Sequence, residues 1–161
     1  MSGFVVILMG SKSDLSHAQA IQQALNEFDI ESVMRIGSAH KVPAQVLAML
    51  QAYEADPRPK VYITIAGRSN ALSGFTDAQV SAPVIACPPY SDRYGGSDIY
   101  SSLRMPGGVA PATVLEPAGA ALLAAKILGL SDEGIRASVR DLQAANVRVL
   151  EEADASLQDG G

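Results

Sequence analysis

The sequence predicts an α/β fold, a three-layer sandwich in which a parallel sheet lies between two layers of helices. The runs FVVILM (4–9) and VYITIA (61–66) are almost wholly apolar, which is typical of strands buried on both faces. Segments with helical spacing separate these runs, and this alternation favours parallel strands joined by right-handed crossovers. With 161 residues and 48% hydrophobic content, we expect a single domain over 1–161.

Five short apolar segments are predicted as strands, because each is followed by turn-forming residues. They span 4–9, 32–36, 61–66, 82–87 and 112–115. Among the helices, Asp14 is well placed to cap the first, and Pro43 and Pro117 suit the first turn of two others. The predicted helices span 15–28, 43–53, 99–105, 117–128 and 132–157, with loops at 67–75 and 88–98. Together these elements predict a flavodoxin-like sheet with additional C-terminal helices.

The two C-terminal helices carry more apolar surface than a domain of this size readily buries. The helix 117–128 is almost entirely Ala, Leu and Ile, and a helix that is apolar on most sides must be buried. The last helix has an apolar stripe formed by Ile135, Val139, Leu142, Val149 and Ala153. We therefore predict that these helices pack in a homo-oligomer, with packing on the same subunit as the alternative. Residues 158–161 are predicted to be a frayed tail.

Composition and charge argue against several classes of protein. The net charge is −5 and no stripe of lysine and arginine is present, so no nucleic-acid partner is expected. No apolar run reaches the roughly 18 residues of a membrane-spanning helix, so no membrane partner is expected either. The opening segment lacks a basic leader and Cys87 is the single cysteine, which favours a cytoplasmic protein.

Three polar segments directly follow predicted strands: GSKSD (10–14), GSAHK (37–41) and GRSN (67–70). The carboxyl ends of parallel strands lie at one edge of the sheet, and ligands of α/β proteins bind there. Backbone amides at helix N-termini can hold phosphate at such an edge without any net positive charge. We therefore expect the three segments to share one rim and to form a binding site.

His40 is the first candidate for proton transfer. It lies just before the helix that Pro43 begins, and a helix N-terminus disfavours positive charge, so a neutral imidazole is expected. A neutral imidazole can accept a proton and return it, a role worth about 10²–10⁴ in rate. Ser38 and Lys41 stand beside it on the same rim. The alternative is a structural histidine in a loop.

The other two rim segments also have a functional and a structural interpretation. The hydroxyls of Ser11 and Ser13 suit a phosphate and the carboxylate of Asp14 suits a ribose hydroxyl, but the segment is also compatible with an ordinary turn. Arg68 offers forked donors for an anion and Asn70 an amide for a base edge, whereas the alternative is an exposed loop.

Four further side chains have both a functional and a structural interpretation. Arg104 and Met105 precede two glycines, an arrangement that suits either a lid over a flat heterocycle or a plain turn. His17 lies within a predicted helix and is expected to face solvent or pack. Cys87 has no neighbouring residues for a zinc site or a catalytic dyad, so we expect a small buried side chain.

Taken together, the segments resemble the family that carboxylates 5-aminoimidazole ribonucleotide in purine biosynthesis. The match covers about residues 4–130 and runs through ILMGSKSD, GSAHK, AGRSN, PVIACPP, SSLRMPGG and LLAAKILGL. Within that family, SAHK and AGRSN are typical of the carboxylase class, which uses free CO2. SAHR and a GAGGAAH loop are typical of the mutase class, which rearranges N5-carboxyaminoimidazole ribonucleotide. Lys41 and AGRSN (66–70) make this sequence similar to the carboxylase class.

The resemblance implies a role for each rim segment. His40 would be the general acid–base that removes the C4 proton of the carboxylated imidazole. Other residues would bind the ribonucleotide and CO2. These are Ser11, Ser13 and Asp14 at the ribose phosphate, Ser38 and Lys41 at the phosphate, Gly67, Arg68, Ser69 and Asn70 around CO2 and the base, and Arg104 and Met105. No cofactor or metal is implied, since CO2 is a co-substrate, and the family's carboxylase class forms homotetramers and its mutase class octamers.

Three alternatives stay open at this point. The mutase reaction would use the same scaffold and nearly all of the same residues. A non-catalytic nucleotide-binding module with a flavodoxin-like fold is compatible with the same pattern, because fold alone does not give function. A phosphoacceptor receiver domain would need a cluster of acidic residues at strand ends, and only Asp14 lies near one.

Overall fold

The computed structural model describes residues 2–158, which contain one sheet of five parallel strands. The strands are β1 (Phe4–Met9), β2 (Glu31–Ile36), β3 (Lys60–Ile65), β4 (Val84–Ala86) and β5 (Ala112–Thr113). Their order in space is β2-β1-β3-β4-β5, so the direction in which strands are added reverses between β1 and β3. The parallel, flavodoxin-like sheet is therefore confirmed, and its switch point lies beside β1.

Helices cover both faces of this sheet. They are α1 (Leu15–Asn26), α2 (Pro43–Glu54), α3 (Ala71–Asp77), α4 (Tyr100–Leu103), α5 (Pro117–Leu128) and α6 (Glu133–Gln158). Short 3₁₀ turns at Lys12–Asp14 and Ser97–Ile99 lead into α1 and α4. Pro43 and Pro117 open α2 and α5 as predicted.

The alternating side chains of β1 pack into two separate cores. Its odd-numbered residues contact α1, α5 and the start of α6, and its even-numbered residues contact α2 and α3. All six residues of β1 are buried, which explains why its sequence has no polar alternation. β1 is therefore held on both faces, and the loop that leaves its carboxyl end starts from a rigid point.

The C-terminal helices pack partly on their own subunit. The small side chains of α5 let α1 approach closely, and four of them are fully buried: Ala120, Ala121, Ala124 and Ala125. α6 starts against α5 through Ile135 and Val139, which are buried. Further along α6, Val149 is 63% exposed. The same-subunit alternative therefore holds for α5 and the first turns of α6, but not for the end of the predicted stripe.

Three local predictions were wrong. Asp14 makes no side-chain capping bond, because a 3₁₀ turn comes first and Ser11 caps it by accepting a hydrogen bond from Ser13 N. The predicted loop 67–75 becomes helix α3 from Ala71 onward. The first helix ends at Asn26 instead of residue 28, since the chain turns at Asp29 with a left-handed φ of 54°.

In the described part of the chain, no helix combines the length and apolar character that crossing a bilayer requires. Of the predicted frayed tail at 158–161, only Gln158 lies within the described residues, and it is the last residue of α6.

Candidate functional site

The loops that follow β1, β2, β3 and β4 line one open cavity of about 630 Å³. The three segments predicted to share a rim all contribute to it, which confirms their convergence. The predicted residues that line the cavity are Ser11, Ser13, Asp14, Ser38, His40, Lys41, Gly67, Arg68 and Ser69. Because β1 and β3 are neighbours on either side of the switch point, the loops after them lie face to face.

The segment after β1 presents hydroxyls beside one carboxylate. The Ser13 hydroxyl donates to Ser11 Oγ at 3.0 Å, and Ser13 N donates to the same oxygen at 3.2 Å. Both serines are exposed, while Asp14 is half-buried. Burial raises the pKa of the Asp14 carboxyl above its ordinary value, although hydrogen bonds with Ser11 and Ser13 act in the opposite direction. The cluster thus offers donors and one acceptor to a polar ligand.

The segment after β2 is a tight turn that brings His40 and Lys41 to the cavity. A side chain at Gly37 would place its Cβ 2.7 Å from Val46 Cγ2, so the turn packs against α2 at this residue. Ser38 closes the turn, because its carbonyl accepts hydrogen bonds from the amides of Lys41 at 3.2 Å and Val42 at 2.9 Å. The side chains of His40 and Lys41 are exposed on the cavity wall.

The segment after β3 contains a strained residue. Arg68 has a left-handed φ of 59°, a backbone conformation that residues other than glycine rarely adopt. Such residues are frequent at functional sites. Its amide donates to Asp98 Oδ2 at 3.1 Å. The side chain of Asn70 caps α3 by accepting from Ser73 N at 3.1 Å, which explains why a helix starts within the predicted loop.

Three predicted residues do not line this cavity. Asn70 is only 4% exposed, and its amide group donates to Ser102 Oγ at 2.9 Å. Asn70, Arg104 and Met105 instead surround a second depression of about 360 Å³, and Ser69 lies between the two depressions. A contact of these three residues with the substrate stays a prediction.

Sequence analysis missed one wall of the cavity, the loop at 88–98. Pro89, Ser91, Arg93, Tyr94 and Asp98 all line it. The signal was available, because this loop follows the predicted strand 82–87 and so must leave the sheet at the same edge as the three chosen segments. Its high content of glycine and proline, by contrast, predicts only turns.

The cavity wall carries more cationic than anionic groups. Its cations are Lys41, Arg68 and Arg93, and its carboxylates are Asp14 and Asp98. None of the three cations forms an ion pair within residues 2–158. The site can therefore receive an anionic ligand even though the whole chain is acidic.

His17 and Cys87 contact each other and do not line the cavity. His17 Nε2 lies 3.4 Å from Cys87 Sγ. Burial lowers the pKa of His17 and raises the pKa of the Cys87 thiol to about 12. The predictions that His17 packs or faces solvent and that Cys87 is a small buried side chain are confirmed, because Cys87 is fully buried and His17 packs against its sulfur.

Comparison with known proteins shows the family to which this chain belongs. The family model described as AIR carboxylase matches residues 4–148. The chain is 56% identical over 158 residues to the phosphoribosylaminoimidazole carboxylase of Treponema denticola, which covers 98% of this chain and 99% of that protein. It is 54% identical over 153 residues to the enzyme of the same name from Archaeoglobus fulgidus, covering 95% of this chain and 84% of that protein.

A solved structure shows the same fold. The crystal structure of Treponema denticola PurE superposes with a TM-score of 0.94 at 56% identity, covering 96% of this chain and 98% of that chain. A match of this extent in both sequence and structure leaves the family in no doubt. The chain therefore belongs to the AIR carboxylase family of enzymes.

Proposed function

We propose that this enzyme carboxylates 5-aminoimidazole ribonucleotide at C4 with free CO2, giving 4-carboxy-5-aminoimidazole ribonucleotide in purine biosynthesis. The observation that carries the proposal is the cavity at the carboxyl ends of the strands. There an exposed imidazole, His40, stands with hydroxyls and unpaired cations around a space of about 630 Å³. Membership of the AIR carboxylase family supports the assignment.

Binding of the ribonucleotide follows from the polar groups of the wall. Ser11 and Ser13 offer hydroxyls to the ribose phosphate, and Lys41 supplies a cation that no carboxylate of residues 2–158 neutralises. The half-buried carboxylate of Asp14 is placed to accept a hydrogen bond from a ribose hydroxyl. These contacts fix the ribonucleotide so that the imidazole ring faces His40 and the GRSN segment.

The reaction adds CO2 and then removes one proton. The exocyclic amine donates electron density into the ring, so C4 attacks the carbon of CO2 and a C–C bond forms. The intermediate carries both the new carboxylate and the original hydrogen on C4. His40 accepts that proton, the C–H electron pair restores the aromatic ring, and the imidazolium of His40 then releases its proton to solvent. Protein groups thus supply orientation and proton transfer, and the scheme uses no cofactor or metal.

The choice of free CO2 as the carbon source rests on two places in the sequence. Lys41 and the AGRSN segment resemble the CO2-using class, and AGRSN contributes Gly67, Arg68 and Ser69 to the cavity. The mutase class would have a second histidine near Leu72, and this chain has none there. Leu72 is a buried apolar residue that both belongs to the core beneath α2 and α3 and lines the cavity.

We further propose that the enzyme is a cytoplasmic homo-oligomer. The second half of α6 exposes apolar side chains that its own subunit does not cover. The most exposed are Val147, Val149, Leu150 and Leu157. A second copy of this chain offers a matching surface, since oligomers commonly pair identical patches. Light scattering would test this: Leu150→Glu should lower the measured mass, and the exposed polar change Gln143→Glu should not.

The experiment that tests the reaction is a paired ultraviolet assay. In one arm, aminoimidazole ribonucleotide is supplied with CO2, and the formation of the carboxylated product is followed. In the other, N5-carboxyaminoimidazole ribonucleotide is supplied while released CO2 is swept from solution. The proposal predicts turnover in the first arm and little in the second.

Either other outcome changes the assignment. Efficient conversion of the N5-carboxylated compound with CO2 removed would make the enzyme a mutase, and Lys41 and AGRSN would then not mark CO2 use. If neither arm shows turnover but the ribonucleotide binds, the protein would be a binding module in which His40 has no chemical role.

A further inference from the structure

We infer that Asp98 is a positioning residue, which holds Arg68 in the left-handed conformation that places its side chain on the cavity wall. The inference rests on the proposed function, because it assigns a consequence to Arg68 in that same site. It adds a residue from a separate segment, the 3₁₀ turn Ser97–Ile99, to the machinery of the site.

The backbone of Arg68 needs an interaction to hold it. Within residues 2–158, Asp29 and Arg68 are the non-glycine residues with positive φ. Asp29 closes the end of α1, where a left-handed residue is common. Arg68 ends no helix, and an arginine in this region has an unfavourable contact between Cβ and its own backbone, which glycine would avoid. Such a conformation persists only where surrounding contacts determine it.

Asp98 supplies that contact. Its Oδ2 accepts the hydrogen bond from Arg68 N at 3.1 Å across 30 residues of sequence. The same oxygen lies 3.7 Å from the point where a Cβ on Gly67 would stand, so the carboxylate lies directly over the Gly67–Arg68 peptide.

A second contact fixes the next residues of the loop. Ser101 Oγ accepts from Asn70 N at 3.0 Å and lies within donating distance of two carbonyl oxygens, that of Asp98 at 2.8 Å and that of Arg68 at 3.2 Å. Asn70 in turn donates to Ser102 Oγ. The GRSN segment is therefore bound to residues 98–102 on both sides of the Arg68 peptide units.

In this arrangement the carboxylate of Asp98 bonds to the backbone of Arg68, and the guanidinium of Arg68 is left unpaired. Arg68 forms no ion pair among the described residues, although the carboxylate of Asp98 bonds to its own amide. A guanidinium held in this way remains available to an anionic or polarised ligand. Loss of the contact should let φ of residue 68 relax and move the guanidinium away from the wall.

Two substitutions separate positioning from direct contact, because Asp98 also lines the cavity. Asp98→Asn keeps an oxygen that can accept the Arg68 amide but removes the charge. Asp98→Ala removes both. We expect Asp98→Ala to lower kcat/KM about tenfold or more and Asp98→Asn to stay within about threefold of the original enzyme.

The same pair of substitutions is then made in an Arg68→Gly background. Glycine adopts positive φ without help and has no guanidinium to position, so Asp98→Ala should change kcat/KM by less than about twofold there. An equal loss in both backgrounds would overturn the inference. The inference would also be overturned if Asp98→Asn lowered kcat/KM as much as Asp98→Ala does, because the charge of Asp98 would then act on the substrate directly.

A crystal structure of Asp98→Ala gives a readout that does not depend on turnover. Departure of residue 68 from positive φ in Asp98→Ala, with positive φ kept in Asp98→Asn, would support the inference. Retention of positive φ in Asp98→Ala would overturn it. If the original enzyme fails to carboxylate aminoimidazole ribonucleotide, the proposed function falls on that result alone, and the φ measurement still decides the role of Asp98.

Discussion

The two ends of the parallel sheet use their charged side chains in opposite ways. At the amino ends of the strands, the side chains of Arg58 and Lys60 find polar partners inside the chain. Arg58 pairs with Glu31 at 2.8 Å and with Asp56 at 2.9 Å, and its guanidinium lies 4.3 Å from the centre of the Phe4 ring. Lys60 Nζ donates to the carbonyl oxygen of Asp56 at 2.7 Å.

At the carboxyl ends, the cations are left without such partners. Lys41, Arg68 and Arg93 form no ion pair within the part of the chain that the structure describes. One of them, Arg68, even carries backbone strain. Groups that are satisfied internally stabilise the fold, whereas groups held unsatisfied are available to a ligand. The comparison predicts that substitutions at the amino end change stability and those at the carboxyl end change activity.

The largest expected effect is on proton transfer. His40→Asn should lower kcat by about 10²–10⁴, because the group that accepts the C4 proton is lost. Its thermal midpoint should be unchanged, since the side chain is exposed. The matched control is His17→Asn, which disturbs packing at Cys87 and should lower the midpoint but not kcat. Steady-state kinetics and thermal unfolding measure both quantities. Near-normal turnover in His40→Asn would remove the mechanism.

The next effect is on binding of the phosphate. Lys41→Met should raise KM for the ribonucleotide about tenfold or more, because a charge-assisted hydrogen bond is lost. Lys60→Met is its counterpart at the other end of the sheet and should lower the thermal midpoint while KM stays unchanged. A KM effect from Lys60→Met, or a purely thermal effect from Lys41→Met, would contradict the comparison.

Arg93 tests the cavity wall that sequence analysis missed. Arg93 lines the cavity from an exposed loop, so its charge is well solvated and acts weakly. Arg93→Met should therefore raise KM by about threefold and leave kcat and the thermal midpoint unchanged. Repeating the measurement at higher salt should shrink the difference. An unchanged KM at low salt would show that this loop does not contact the ligand.

The parts that the sequence predicted well are those set by burial pattern. β1 and α5 have the predicted bounds, because a strand buried on both faces and a helix that begins at proline leave clear signals. The convergence of three rim segments followed from the topology of parallel sheets.

What the sequence did not predict depends on contacts between distant residues. One exception is local, since Ser11 caps the 3₁₀ turn that precedes α1 and Asp14 makes no side-chain capping bond. Asn70 starts α3 with an amide that also bonds to Ser102, 32 residues away. The strain at Arg68 and its bond to Asp98 have no local signal either. Such pairings become visible only when the chain is folded.

The smallest expected effect is a difference in how acid changes the stability contributed by groups at the two ends of the sheet. Burial acts to raise the pKa of Glu54, but hydrogen bonds from Ser81 and Tyr62 outweigh it and hold that pKa below its ordinary 4.5. A lowered pKa in the folded state stabilises the protein above the ordinary value, and this contribution is lost as the pH falls through the folded pKa. Glu54→Gln should therefore lower the thermal midpoint at neutral pH, and the difference should fade in acid.

Replacing Asp14 should change the thermal midpoint at neutral pH in the opposite direction. Burial raises its pKa above the ordinary 3.8, so the folded state binds the proton more tightly than the unfolded state does. Its ionisation then costs stability as the pH rises through that window, and the cost persists at neutral pH. Asp14→Asn should slightly raise the thermal midpoint at neutral pH while weakening ribonucleotide binding. Thermal midpoints of both variants across acid and neutral pH measure the two signs. A lowered midpoint in both variants would mean that charged groups at the carboxyl ends of the strands stabilise the fold, as those at the amino ends do.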